Sequence, residues 1–212
     1  LASGVAEKWA IAADGLSWTF NVRKGIKFHD GSDLTGDDVK FSIERFLDPK
    51  ATSSFAGNIK AQVKSIEVKD PYTVVVNTNG VKVELDYTFS PLLGAEGTVV
   101  PKKYIDKVGE EAFAKQPMGS GPWKFVSRAP GQTIKYEANE SYWGNIPDFK
   151  NLTLLLVPEE GSRSAMLRTG ELDIAGVTGD RVKELEAVGL RVDGLAGLWT
   201  YVSLHGSYVD PN

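Results

Sequence analysis

Arg23-Lys24-Gly25-Ile26-Lys27-Phe28-His29-Asp30-Gly31, continued by Leu34-Thr35 and Asp37-Asp38-Val39-Lys40-Phe41-Ser42, sets a strand end, a turn and a helix start side by side. Ile26 and Phe28 alternate with polar neighbours, and Asp30-Gly31 is a dipeptide suited to turns that need a positive φ, so a hairpin or strand corner is expected here. Thr35 has the chemistry of an N-cap, with an acid three residues later at Asp38 and Val39, Ile43 and Phe46 following at helical spacing. The spacing predicts a helix from about Gly36 to about Phe46. Leu47-Asp48-Pro49 stops it, and the Ala/Thr/Ser/Gly-rich stretch 51–57, with Phe55 at its centre, reads as a loop.

Upstream of that run, Leu16, Trp18, Phe20 and Val22 alternate with Ser17, Thr19 and Asn21, the period of a strand that covers a core with one face. Downstream, Ile66 and Val68 face Val74 and Val76 across Asp70-Pro71, two strands of a β-meander. Pro101 opens one helix carrying Tyr104, Ile105, Val108 and Phe113. Met118-Gly119-Ser120-Gly121-Pro122-Trp123 is a turn that feeds a strand with Trp123 and Phe125. Ile134 with Tyr136, and Leu152, Leu154 and Leu156, give two more strands around the aromatic turn Asn139-Glu140-Ser141-Tyr142-Trp143-Gly144. A helix over 162–169 ends at Arg168 and Gly170. A short strand at 171–175, a helix near 181–188 and strands around 190–192 and 198–204 complete the chain. The expected architecture is α/β, mixed α+β, with a β-rich subdomain over roughly 35–120 beside a mixed-sheet subdomain.

Composition removes several classes of function. With 24 Lys and Arg against 28 Asp and Glu, a net charge of −4 and a pI near 5.3, the chain lacks the long-range field that draws a protein to nucleic acid or an anionic membrane. It contains no cysteine, hence no disulfide, thiolate metal site or cysteine nucleophile. His29 and His205 are its two histidines, and neither sits at a metal-ligand spacing. No apolar run approaches the roughly 20 residues of a membrane span, so no direct membrane insertion is expected of this segment.

Each reactive-looking feature has a plainer structural reading. His29 and Asp30, adjacent on extended backbone, point to opposite faces and cannot easily cooperate in catalysis. Gly119-Ser120-Gly121 lacks the G-x-S-x-G spacing of a nucleophile elbow, which weakens the hydrolase alternative. Asp37-Asp38 and Glu159-Glu160 stand near helix starts, where the macrodipole favours carboxylates. Trp9, Trp18, Trp123 and Trp143 are read as packing residues.

In order along the chain, several of these segments resemble the solute-binding proteins of family 5, which serve importers of peptides, nickel and related ligands. Glu7-Lys8-Trp9 and Asp14-Gly15-Leu16-Ser17-Trp18-Thr19-Phe20 are similar to its "LAExW…DGLTYTF" segment. The run from Arg23 to Ser42 is its most specific signature, and Gly119-Ser120-Gly121-Pro122-Trp123-Lys124-Phe125, Asn139 to Gly144, and Arg163 with Gly170-Glu171-Leu172-Asp173-Ile174 resemble three further motifs. The resemblance implies a lobe of the type II periplasmic-binding-protein kind. Residues 1–212 would form most of lobe one, incomplete without an N-terminal segment and a second lobe. The strand at 198–204 resembles the family's crossover strand, although His205 or Gly206 stands where asparagine is usual.

What the resemblance implies about function is capture of a peptide or another small solute between two lobes and delivery to the transmembrane subunits of an ABC permease, without catalysis and without a cofactor. The protein would work in the periplasm or as an extracellular lipoprotein. Ligand contacts are expected from Gly176, Val177 and Thr178 in the loop after the G-E-x-D segment, from Leu198, Trp199 and Tyr201 entering the crossover, and from Phe55. A non-transport interaction or sensor module is the other class that this sequence admits.

Overall fold

The chain alternates hairpins and short helices, and its structure, a computed structural model, describes residues 4–90 and 97–193. These fall into two compact units. The first is built from the chain up to Phe125 together with Asn139–Ile146, the second from Val126–Ala138 and the chain from Pro147 onward.

In the first unit, strands β1 (Ala6–Ile11), β2 (Ser17–Val22), β3 (Val63–Asp70) and β4 (Thr73–Thr78) form an antiparallel sheet in the order β1-β2-β4-β3. The expected meander is therefore corrected. β4 folds back as a hairpin on β3 but lies between it and β2, pairing Trp18 with Val76 and Phe20 with Val74. That insertion puts Val74 and Val76, both fully buried, at the middle of the sheet, where each contributes roughly 1.5–3 kcal/mol by leaving water. Trp18 and Val22 are buried as the alternation predicts, whereas Leu16 precedes the strand and is 43% exposed.

Helix α1 (Gly36–Leu47) follows the turn at Asp30-Gly31, where Gly31 has φ +87 and donates its N–H to the Phe28 carbonyl. Thr35 caps it as its sequence requires: the Thr35 N–H donates to Asp38 Oδ2 at 2.9 Å. The other oxygen of Asp38 accepts from the Lys102 N–H at 3.0 Å, and the Ser42 hydroxyl accepts from the Val100 N–H at 2.9 Å. Two side chains of one helix thus satisfy backbone donors of a segment some 60 residues away.

Helices α2 (Ala56–Gln62), α3 (Leu85–Thr88), α4 (Lys102–Val108) and α5 (Glu110–Lys115) complete this unit. All four differ from expectation. The stretch 51–57 is only partly a loop, because a turn at Ser53 starts α2, whose single large apolar residue, Ile59, is too sparse a signal to show a period. The four-residue α3 is too short to show one either. The helix expected from Pro101 is two helices, broken at Gly109, whose φ of +84 ends the first.

The second sheet has β6 (Thr133–Ala138) as the middle strand between β5 (Trp123–Ala129), which enters the second unit at Val126, and β7 (Asn151–Leu155), to which β6 runs antiparallel with Ile134 opposite Leu154. Helix α6 (Glu160–Thr169) ends at Gly170, in the left-handed region at φ +74. A single 3-10 turn (Gly179–Arg181) leads into α7 (Val182–Glu186). The short strands expected at 171–175 and 190–192 do not form. The N–H groups of Glu171 and Leu172 are taken by the Met166 carbonyl and that of Leu190 by Leu185, so helix ends claim the donors a ladder would need. The strand expected at 198–204 lies outside the described residues.

Candidate functional site

Three of the motifs read from the sequence meet in the first unit. The imidazole of His29 sits against the Gly119–Gly121 turn, with Nε2 3.0 Å from the Gly121 carbonyl and Nδ1 3.4 Å from the Gly119 N–H. The carbonyl needs a donor and the amide an acceptor, so the ring is the neutral tautomer protonated on Nε2. Burial holds its pKa below the usual 6.5, with Lys124 pulling in the same direction and the Gly121 carbonyl and Asp30 opposing. The His29 backbone N–H also donates to the Gly119 carbonyl at 2.9 Å.

The aromatic turn closes on the same glycines. Asn139 Nδ2 donates to the Gly121 carbonyl at 3.1 Å, its backbone N–H donates to the Pro122 carbonyl at 2.8 Å, and Trp143 Nε1 donates to the Ser120 carbonyl at 3.2 Å. The Arg23 guanidinium lies 5.2 Å from the centre of the Trp143 ring, a cation–π distance. His29 and Asp30 do not form a catalytic pair. Asp30 turns to its own loop, and although burial raises its pKa, hydrogen bonds from the Ser32 hydroxyl and N–H outweigh that and lower it. This cluster is a clamp that fixes backbone.

The loop expected to meet ligand belongs to the second unit and is held from α6. Arg163 Nε donates to the Gly176 carbonyl at 2.9 Å, while Nη1 donates to the Val157 and Pro158 carbonyls at 2.9 and 2.5 Å. Glu160 Oε1 accepts from the Thr178 N–H at 2.6 Å and from its hydroxyl at 2.8 Å. Those two bonds lower the Glu160 pKa. With both ends of the loop tied down, the N–H of Gly176 and the N–H and C=O of Val177 have no hydrogen-bond partner among the described residues. An exposed glycine whose added Cβ would meet nothing within 4 Å leaves open room beside those groups.

The expected site residues are therefore distributed as follows. Gly176, Val177 and Thr178 form one tethered loop, Phe55 is 39% exposed at the start of α2 in the other unit, and Leu198, Trp199 and Tyr201 lie outside the described residues. Glu160 stands in the first turn of α6, as its sequence context predicts, but its second role is not visible there, because the dipole alone accounts for a carboxylate at a helix start. Only the fold brings it to Thr178, 18 positions on. Arg163 was legible as a motif residue but not as the tether of Gly176. Among the described residues, no three His, Asp or Glu side chains gather as metal ligands, and no helix is long and apolar enough to cross a membrane.

Residues 1–208 match the bacterial extracellular solute-binding proteins, family 5 middle. The chain belongs to this family. It is 35% identical over 191 residues to Heme-binding protein A of Haemophilus influenzae, covering 80% of this chain and 34% of that protein. Its fold matches NikZ from Campylobacter jejuni in complex with Ni(L-His) with a TM-score of 0.78 at 28% identity, covering 86% of this chain and 36% of that one. It matches the oligopeptide-binding protein AppA from Bacillus subtilis, in complex with a nonapeptide, with a TM-score of 0.78 at 30% identity, covering 88% and 37%. The chain thus spans about a third of the length of the relatives it matches. The clamp residues Arg23, His29, Gly119–Gly121, Asn139 and Trp143, and the tethering Arg163, are among the residues that carry the family resemblance.

Proposed function

We propose that this chain supplies most of one lobe of an extracytoplasmic solute-binding protein, which captures a peptide or a related small solute between two lobes and hands it to the transmembrane subunits of an ABC permease. The observation that carries this reading is the Gly176–Thr178 loop: its ends are fixed by Arg163 and Glu160, and the backbone groups of Gly176 and Val177 stay available. A main chain presenting two donors and one acceptor on neighbouring residues complements an extended peptide in the way an added strand does. Because the loop is held in advance, little ordering entropy is lost when solute binds. Leu198, Trp199, Tyr201 and Phe55 are further candidates for contact with the solute, and binding would proceed without turnover. Closure of a hinge around the solute would create the form that the permease recognises.

Thermal unfolding of the whole protein that contains this chain, scanned against di-, tri- and oligopeptides, haem and nickel–histidine, tests the proposal. A solute that binds only the native state raises the midpoint by mass action. One class is expected to do so saturably and to be recovered unchanged. Chemical conversion of the solute, or failure of every class to shift the midpoint, would overturn the reading.

A further inference from the structure

A recess of about 310 Å³ opens beside the clamp in the first unit, lined chiefly by Lys27, His29, Lys124, Asn139 and Ser141. Its polar groups are unevenly spent. Both nitrogens of His29 are engaged by Gly121 and Gly119, and both ends of the Asn139 amide are engaged, Nδ2 to the Gly121 carbonyl and Oδ1 by the Ser141 N–H at 3.2 Å. The Phe28 carbonyl at its edge accepts from Gly31. Lys27 is neutralised by Asp33 at 2.6 Å. What is left are donors: among the described residues the Lys124 ammonium has no ion-pair partner, and the Ser141 hydroxyl has no hydrogen-bond partner.

None of the lining residues is acidic. A concave site whose acceptors are committed, and which retains one uncompensated cation beside a hydroxyl, offers little to a cation or an apolar group. It complements an anion bearing oxygen. We propose that this recess binds a small oxyanion, a carboxylate or phosphate group, through Lys124 and Ser141. The site belongs to the first unit and is independent of the Gly176–Thr178 loop, so either can fail without the other.

His29 lines the recess and serves as the reporter. In the whole protein the His29 imidazole Cε1–H resonance is assigned by its absence from the spectrum of His29→Gln. Sodium phosphate and sodium succinate are titrated separately against sodium chloride at matched ionic strength, since screening alone moves exposed charges. The His29 resonance is expected to shift saturably with phosphate, succinate or both, and chloride to leave it in place. Lys124→Gln should weaken the midpoint about tenfold or more, and Lys124→Arg, which keeps the charge, should retain it. A response to phosphate alone assigns a phosphate group, and a response to succinate assigns a carboxylate. A non-saturating shift, an equal shift in chloride, or an unchanged midpoint in a Lys124→Gln protein that melts with the parent overturns the proposal.

Discussion

At the scale of single residues, the groups that look most reactive in this sequence are spent on holding backbone. His29 is the clearest case, and it carries a pH dependence whose sign follows from its surroundings. Burial keeps its folded pKa below 6.5, so the unfolded chain binds the proton more readily. The stability it supports is fully present above about 6.5 and is lost as pH falls from there toward the folded value. Protonation also turns Nδ1 from an acceptor into a donor facing the Gly119 N–H. Chemical denaturation at pH 7.5 and pH 5.5 should show a loss of stability in the parent that is smaller in His29→Gln. An identical loss in both would place the titrating group elsewhere. Asp30 does not confuse the comparison, because its pKa lies below 3.8 and its contribution is lost only at more acid pH.

Among elements, α6 and the loop it holds show where reading a sequence succeeds and where it stops. The capping box at Thr35 and Asp38, the αL glycine at 170 and the period-two runs of β2, β3, β4 and β6 are local chemistry, and all of them were legible. Strand order was not, since nothing in the residues of β3 and β4 says which of the two will lie against β2. The tethers on Gly176 and Thr178 were equally hidden, because each joins residues 13 and 18 positions apart through side chains that a pattern search assigns to a helix surface. Their importance is open to measurement. Arg163→Lys keeps the charge but cannot reach three carbonyls from a planar fork, and should cost about 1–2 kcal/mol in urea unfolding, with faster amide exchange at Gly176 to Thr178. Unchanged exchange in that loop would show that Arg163 is not its tether.

Over the whole molecule, the two units differ in how the chain supplies them. The first takes the segment up to Phe125 and then recovers Asn139–Ile146, with the β5–β6 hairpin intervening. The recovered turn provides Asn139 and Trp143, which bond the carbonyls of Gly121 and Ser120. A chain ending at Phe125 should therefore unfold at lower urea than one ending at Ile146, by about 2–4 kcal/mol for the lost buried polar contacts and aromatic packing. Equal midpoints would show that the turn adds nothing to the first unit.

The same return has a consequence for how this protein is made. Synthesis runs from the N-terminus, and a ribosome that has delivered the four-stranded sheet has still not delivered its final latch. Until Asn139 and Trp143 emerge, the glycine turn at 119–121 is held by its contacts with His29 and lacks the two bonds that close it. The nascent segment can thus gather its core early yet stay easy to unravel.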